Sequence, residues 1–283
     1  MSAVLKLSFQ KRRLRWILCL PLPVYASSYF VHPVEGNDSN SGKSEVTPWQ
    51  TLAKASSVKL RAGDKILLAA GEIHEGSLTL SMVAGRKDAP ITISSYGQAK
   101  GEPGKPAKID ARGLLAGIHV LNSSYVDIEN LEVVADAGGV FENKVSQVED
   151  MRVGVLVEVT RQGNFREIHL NRLRVSNVYF EEKGYKRPPT EVRTANGTER
   201  YGWGIRFINN KKSARLREVS VKNSVVENTS HTGIKLTSKY SRIDNVSIYD
   251  TRVLKTGGAG MQMSGVSDVH VARNVVDRSG NSD

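Results

Sequence analysis

The chain is predicted to be an all-β solenoid, with short strands wound into coils that stack on one another. Three observations point to this. Hydrophobic residues reach 39% while aromatics are only 6%, and Gly occurs 25 times; such a composition suits many short strands and frequent turns around a sizeable core. One phrase, Gly–apolar–variable–apolar, recurs as Gly117-Ile118-His119-Val120, Gly154-Val155-Leu156-Val157, Gly204-Ile205-Arg206-Phe207, Gly233-Ile234-Lys235-Leu236 and Gly260-Met261-Gln262-Met263. Each phrase is accompanied by a second alternating stretch, Val126/Ile128, Ile168/Leu170, Val219/Val221, Val246/Ile248 and Val269/Val271, and a third apolar step follows, such as Val225, Val253 or Val275.

Alternation with period two marks a half-buried strand. Three strands per unit, with near-equal final intervals and polar insertions lengthening the first two, describe coils that bury their inner residues only against neighbouring coils. A leucine-rich repeat would be shorter and show its Leu/Asn consensus. A propeller blade would need four antiparallel strands and hairpin turns.

Residues 1–26 stand apart. Lys11, Arg12, Arg13 and Arg15 precede a short apolar run from Trp16 to Val24, and Val24-Tyr25-Ala26 supplies a cleavage-like end. This order is that of a secretory signal peptide, and the run falls short of the ~20 residues that span a bilayer. The protein is therefore expected to be secreted or periplasmic, with no membrane span. Cleavage lowers the net charge from +11 to +6, because five of the 40 basic residues leave and no acid does. The single cysteine, Cys19, leaves as well, so a mature chain has no disulfide, thiol nucleophile or cysteine metal site.

Residues 27–110 are expected to form an N-terminal cap and the first coils, and residues 111–283 the repeated coils. Thr51 to Val58 suits a short amphipathic helix with Leu52, Ala55 and Val58 on one face. Asn130, Asn223 and Asp250 fall at the turn after the second strand, with Asn171 and Asn274 one residue off; a ladder of stacked side-chain amides is expected there. The last phrase runs through Val275 to Asp283 with no closing element, although solenoids need a cap at both ends. The expectation is an incomplete stack, so part of any active site is expected to lie in missing coils.

These motifs resemble the right-handed parallel β-helix of the pectate-lyase-like superfamily across residues 28–283. The N-terminal part, with Tyr29-Phe30-Val31, Gly36-Asn37-Asp38-Ser39-Asn40, the Pro48-to-Ala55 stretch and Ala62-Gly63-Asp64-Lys65-Ile66, is similar to a module that opens many secreted members. The resemblance implies that the helix caps the stack and that the exterior of the first strand forms a glycan-binding groove.

In the Gly phrase the variable residue faces outward. That column reads His119, Leu156, Arg206, Lys235, Gln262. Its basic members, with His231 in the adjoining loop, suit β-elimination of a uronic-acid polymer, in which a base takes the proton beside a neutralised carboxylate. Lys235, His231 and Arg206 are the catalytic candidates, and Trp203, Gln262 and Arg242 the substrate-binding ones. Some lyases of the superfamily resemble this in using a Lys base and an Arg. No compact acidic set of the kind Ca²⁺ needs is visible, and neither a metal nor another cofactor is expected. Glycoside hydrolysis requires two carboxyl groups; with none in the column, a hydrolase would keep them in missing coils. The expected partner is an acidic polysaccharide. The polar insertion between Phe180 and Tyr201 is a candidate groove wall. Diffuse charge without a recognisable module argues against nucleic acid. The rivals are a hydrolase of the same fold and a non-catalytic glycan-binding adhesin.

Overall fold

The computed structural model describes residues 26–99, 102, 104–136, 151–179 and 201–280. The signal-like segment with Cys19, the insertion before Tyr201 and residues 281–283 lie outside them. Among the described residues thirteen strands form one sheet and six another. The first holds β1 (Ser28–Val31), β2 (Lys65–Ala69), β3 (Ile73–Glu75), β5 (Ile91–Tyr96), β6 (Ala107–Asp110), β8 (Val126–Asp136), β10 (Gly163–Tyr179), β12 (Ala214–Lys222), β13 (Val225–Thr229), β15 (Ile243–Tyr249), β16 (Arg252–Thr256), β18 (Val266–Ala272) and β19 (Val275–Ser279). The second holds β4 (Leu78–Ser81), β7 (Ala116–Leu121), β9 (Met151–Val159), β11 (Tyr201–Asn209), β14 (Ile234–Ser238) and β17 (Met261–Ser264). Neighbouring strands pair in parallel, β7 with β9, β9 with β11, β11 with β14 and β14 with β17. The architecture is the expected parallel β-helix.

The Gly phrases lie side by side. Ile118, Val155, Ile205, Ile234 and Met261 are successive register partners, and the first four are fully buried in one continuous core. The glycines are required by space. A Cβ on Gly117, Gly154, Gly204, Gly233 or Gly260 would overlap Val133, Val175, Val226, Val253 or Val276 respectively, one valine from the third face of each coil. The third apolar step is accordingly Val226 and Val276 where the sequence suggested Val225 and Val275; a one-residue shift exchanges the two faces of a strand. Gly204→Ala is expected to destabilise the chain by ~1–3 kcal/mol through overpacking. Thermal denaturation of Gly204→Ala, Val226→Ala and the double variant checks this, and the two losses should be non-additive by at least ~0.5 kcal/mol because the residues share one space.

Two strands are longer than the three to five residues expected: β8 has 11 residues and β10 has 17. In each, the second and third strands of the coil run on through a single left-handed residue, Asn130 or Arg172, and the pairing of β8 with β10 continues on both sides of it. The equivalent residues in later coils are Asn223, Asp250 and Arg273. The corner is thus a column of left-handed backbone rather than a full amide ladder. Asn223 does donate to Asn171 Oδ1 at 2.9 Å, but Arg172 instead binds Glu129, and Arg273 binds Asp250. Asn and Asp tolerate this conformation best, which explains why three of the five corners showed in the sequence.

At the start of the stack, α1 (Leu52–Ser56) is capped by Thr51, whose side chain accepts from the Lys54 amide. Leu52 and Ala55 are buried, and Val58, just past the helix, still packs against the core. Asp38 ties the loop before it, accepting from the Gln50 and Thr51 amides and the Thr51 hydroxyl. At the other end, Val269, Val271, Val275 and Val276 are 40–49% exposed, whereas Val246, Ile248 and Val253 one coil earlier are buried.

Candidate functional site

The outer face of the six-stranded sheet carries the expected column in register, His119, Leu156, Arg206, Lys235 and Gln262, and extends it by Thr79 on the preceding coil. Its surroundings differ from an open basic strip. Leu156 is fully buried and joins Ala116, Met151, Val153, Trp203 and Ile208 in a second apolar cluster. Lys235 is only 7% exposed.

Trp203 is the centre of this arrangement. Its indole lies on the outer side of the sheet, clustered with Leu156 and beneath Arg206 and Lys235, yet it is 3% exposed. The Arg206 guanidinium lies 3.5 Å from its ring centroid and the Lys235 ammonium 5.0 Å, contacts worth ~0.5–2 kcal/mol each as the site is desolvated. Trp203, a substrate-binding candidate in the sequence, is thus a buried platform on which two cations from adjacent coils are seated.

His231 supports that platform. The indole Nε1–H donates to His231 Nδ1 at 3.3 Å, and the two rings meet edge to face. An indole nitrogen can only donate, so Nδ1 bears no proton, and Thr232 Oγ1 stands 2.7 Å from it. With that lone pair committed inside the protein, His231 positions Trp203 and is a poor base through Nδ1. Gly258 permits the next coil to close over it, since a Cβ there would press on the imidazole.

Burial, and then the Arg206 charge beside it, hold the Lys235 ammonium down to about 8, against an ordinary 10.5. Below pH 8 the folded chain bears a charge that its surroundings disfavour. Between about 8 and 10.5 the unfolded chain binds more protons than the folded one, so stability attributable to this group rises with pH there. Lys235→Met should therefore gain most over the parent at neutral pH, and the gap should close by about pH 10.5; paired melting curves across this range check it.

Of the two other candidates, one stays on the column and one stands apart. Gln262 partners Lys235 in register on the last described coil. Arg242 is exposed, beyond the end of β14 and just before β15, so the chain has already turned onto the other sheet. The sequence reading passed over a carboxylate of this face: Glu158, partly buried, whose Oε2 lies 3.0 Å from His119 Nε2. It sits two residues past Leu156, where continued alternation would have found it. Among the described residues no group of three or more His, Cys, Asp or Glu is placed to hold a metal, and no helix is long and apolar enough to cross a membrane.

The chain shares its parallel β-helix fold with a solved carbohydrate-acting enzyme, and two carbohydrate-acting enzymes are similar to parts of its sequence. No family model matches it. A lacto-N-biosidase of Bifidobacterium longum subsp. longum is 33% identical over 141 residues, covering 41% of this chain and 9% of that protein. An α-1,3-galactosidase A of Akkermansia muciniphila is 38% identical over 65 residues, covering 23% of this chain and 11% of that protein. Among solved structures, the GH136 lacto-N-biosidase from Eubacterium ramulus superposes with a TM-score of 0.67 at 23% identity, over 85% of this chain and 43% of that one. The chain thus spans a small part of the curated relatives and under half of the solved one.

Proposed function

We propose that this chain is part of a secreted glycoside hydrolase that releases lacto-N-biose units, with the outer face of the six-stranded sheet as the floor of its glycan site. The observation that carries this reading is the 33% identity to a lacto-N-biosidase over 141 residues. The site geometry supports it. Arg206 and Lys235 are seated on a buried indole, a setting for a few oriented hydrogen bonds to neutral hydroxyl groups rather than for gripping a polyanion. Glu158 supplies one of the two carboxyl groups that glycoside hydrolysis requires; its partner is to be sought outside the described residues. Residues 27–110 serve as cap and first coils, and residues 111–283 carry the site.

A second reading, β-elimination of an acidic glycan, is favoured by one observation: an amine held near 8 beside a guanidinium is a base poised near working pH. Incubation with an aryl lacto-N-bioside and, separately, with polyuronates separates the two. Aryl release without unsaturated uronate absorbance supports the hydrolase. The reverse supports the lyase, and neither product overturns both.

A further inference from the structure

The larger sheet has an outward column of its own, distinct from the glycan floor. Asp127, His169, Ser220, Ser247 and His270 are register partners on successive coils. Within it, Ser220 Oγ lies 2.8 Å from His169 Nδ1, and His169 Nε2 lies 2.9 Å from Glu167 Oε2. An ionised carboxylate can only accept, so Nε2 carries the ring proton, and Nδ1 of the neutral imidazole accepts from the Ser220 hydroxyl. The order is that of a nucleophile, a base and an orienting carboxylate. The backbone does not need this relay, because β10 is already paired on both sides, to β8 and to β12. Asp127 flanks the imidazole on the preceding coil. Burial holds its carboxyl above the ordinary range, against the opposing pull of His169, as expected of an acid kept close to an imidazole in a partly dry site.

We propose that Ser220, His169 and Glu167 form a second hydrolytic site, acting on short O-acyl esters such as those of acetylated sugars. Ser220 Oγ bonds to the acyl carbon while its proton passes to His169 Nδ1. The sugar oxygen then leaves with that proton, giving an acyl-serine. Water repeats the sequence, releases the carboxylic acid and restores the serine. Ser247, in register on the next coil, is the donor proposed for the carbonyl oxygen.

The test treats the whole chain with a fluorophosphonate probe and with p-nitrophenyl acetate. Expected are a covalent adduct mapped to the Ser220 peptide, its loss in Ser220→Ala, and ester hydrolysis lowered ~100-fold or more in Ser220→Ala and His169→Ala. Glu167→Gln should keep the adduct but shift the acid limb of the pH–rate profile. An unlabelled parent, a label mapped elsewhere, or a parent no faster than Ser220→Ala overturns the proposal. Mapping on the parent needs no variant to fold.

Discussion

Ile234→Asp is expected to unfold the stack. Ile234 is fully buried and sits between Ile205 and Met261 in the inner column of the six-stranded sheet. An aspartate there has no partner among the surrounding apolar side chains and must bury a charge or take up a proton. A cost of about 4 kcal/mol or more is expected, a large part of the ~5–15 kcal/mol that a folded domain commands. Lys235→Met, one residue on and facing the other way, replaces the ammonium with an unbranched apolar side chain of similar length and should leave folding intact. Circular dichroism melts of both variants decide the matter. Equal destabilisation would overturn the inward and outward assignment from which every site residue is derived.

The second large effect tests the proposed glycan floor. With an aryl lacto-N-bioside as substrate and the enzyme in its full length, Glu158→Gln should lower turnover ~10²–10⁴-fold, as for loss of an acid–base group, with affinity largely kept. Arg206→Ala should weaken binding ~10-fold or more, because a charge-assisted hydrogen bond contributes ~1.5–3 kcal/mol. Lys235→Ala should reduce kcat/KM by a similar factor and remove any pH dependence centred near 8. Trp203→Leu should reproduce part of both cation losses, since both cations rest on its ring. Parent-like kinetics in all four would place the site elsewhere.

The fold was legible because the Gly phrase is a local pattern, and local patterns survive in a sequence. The reason for the glycine was not legible. Val226 and Val253 come to Gly204 and Gly233 only when the coil closes, and nothing along the chain links each pair. The register column of Arg206 and Lys235 followed from alternation alone, but their burial did not, because it depends on packing across the outer face. Trp203 and His231 were legible as residue types but their contact was not, because the indole–imidazole hydrogen bond joins neighbouring coils. The Ser220–His169 relay was within reach. Its members are the middle residues of the second alternating stretch, and reading the outward positions of that stretch as well as the first would have placed Asp127, His169 and Ser220 in one line.

The placement of the longest interruptions has an evolutionary consequence. Residues 137–150 and 180–200 separate β8 from β9 and β10 from β11. Both junctions therefore fall between the third face of one coil and the six-stranded sheet of the next. The valine and glycine of adjoining faces meet in the interior, as Val133 meets Gly117 and Val175 meets Gly154, and coil-to-coil pairing resumes after each interruption. Segments of different length and composition can be exchanged there while the interior stays unchanged. The sequence joining the two faces can thus vary at this junction without the core having to evolve in step.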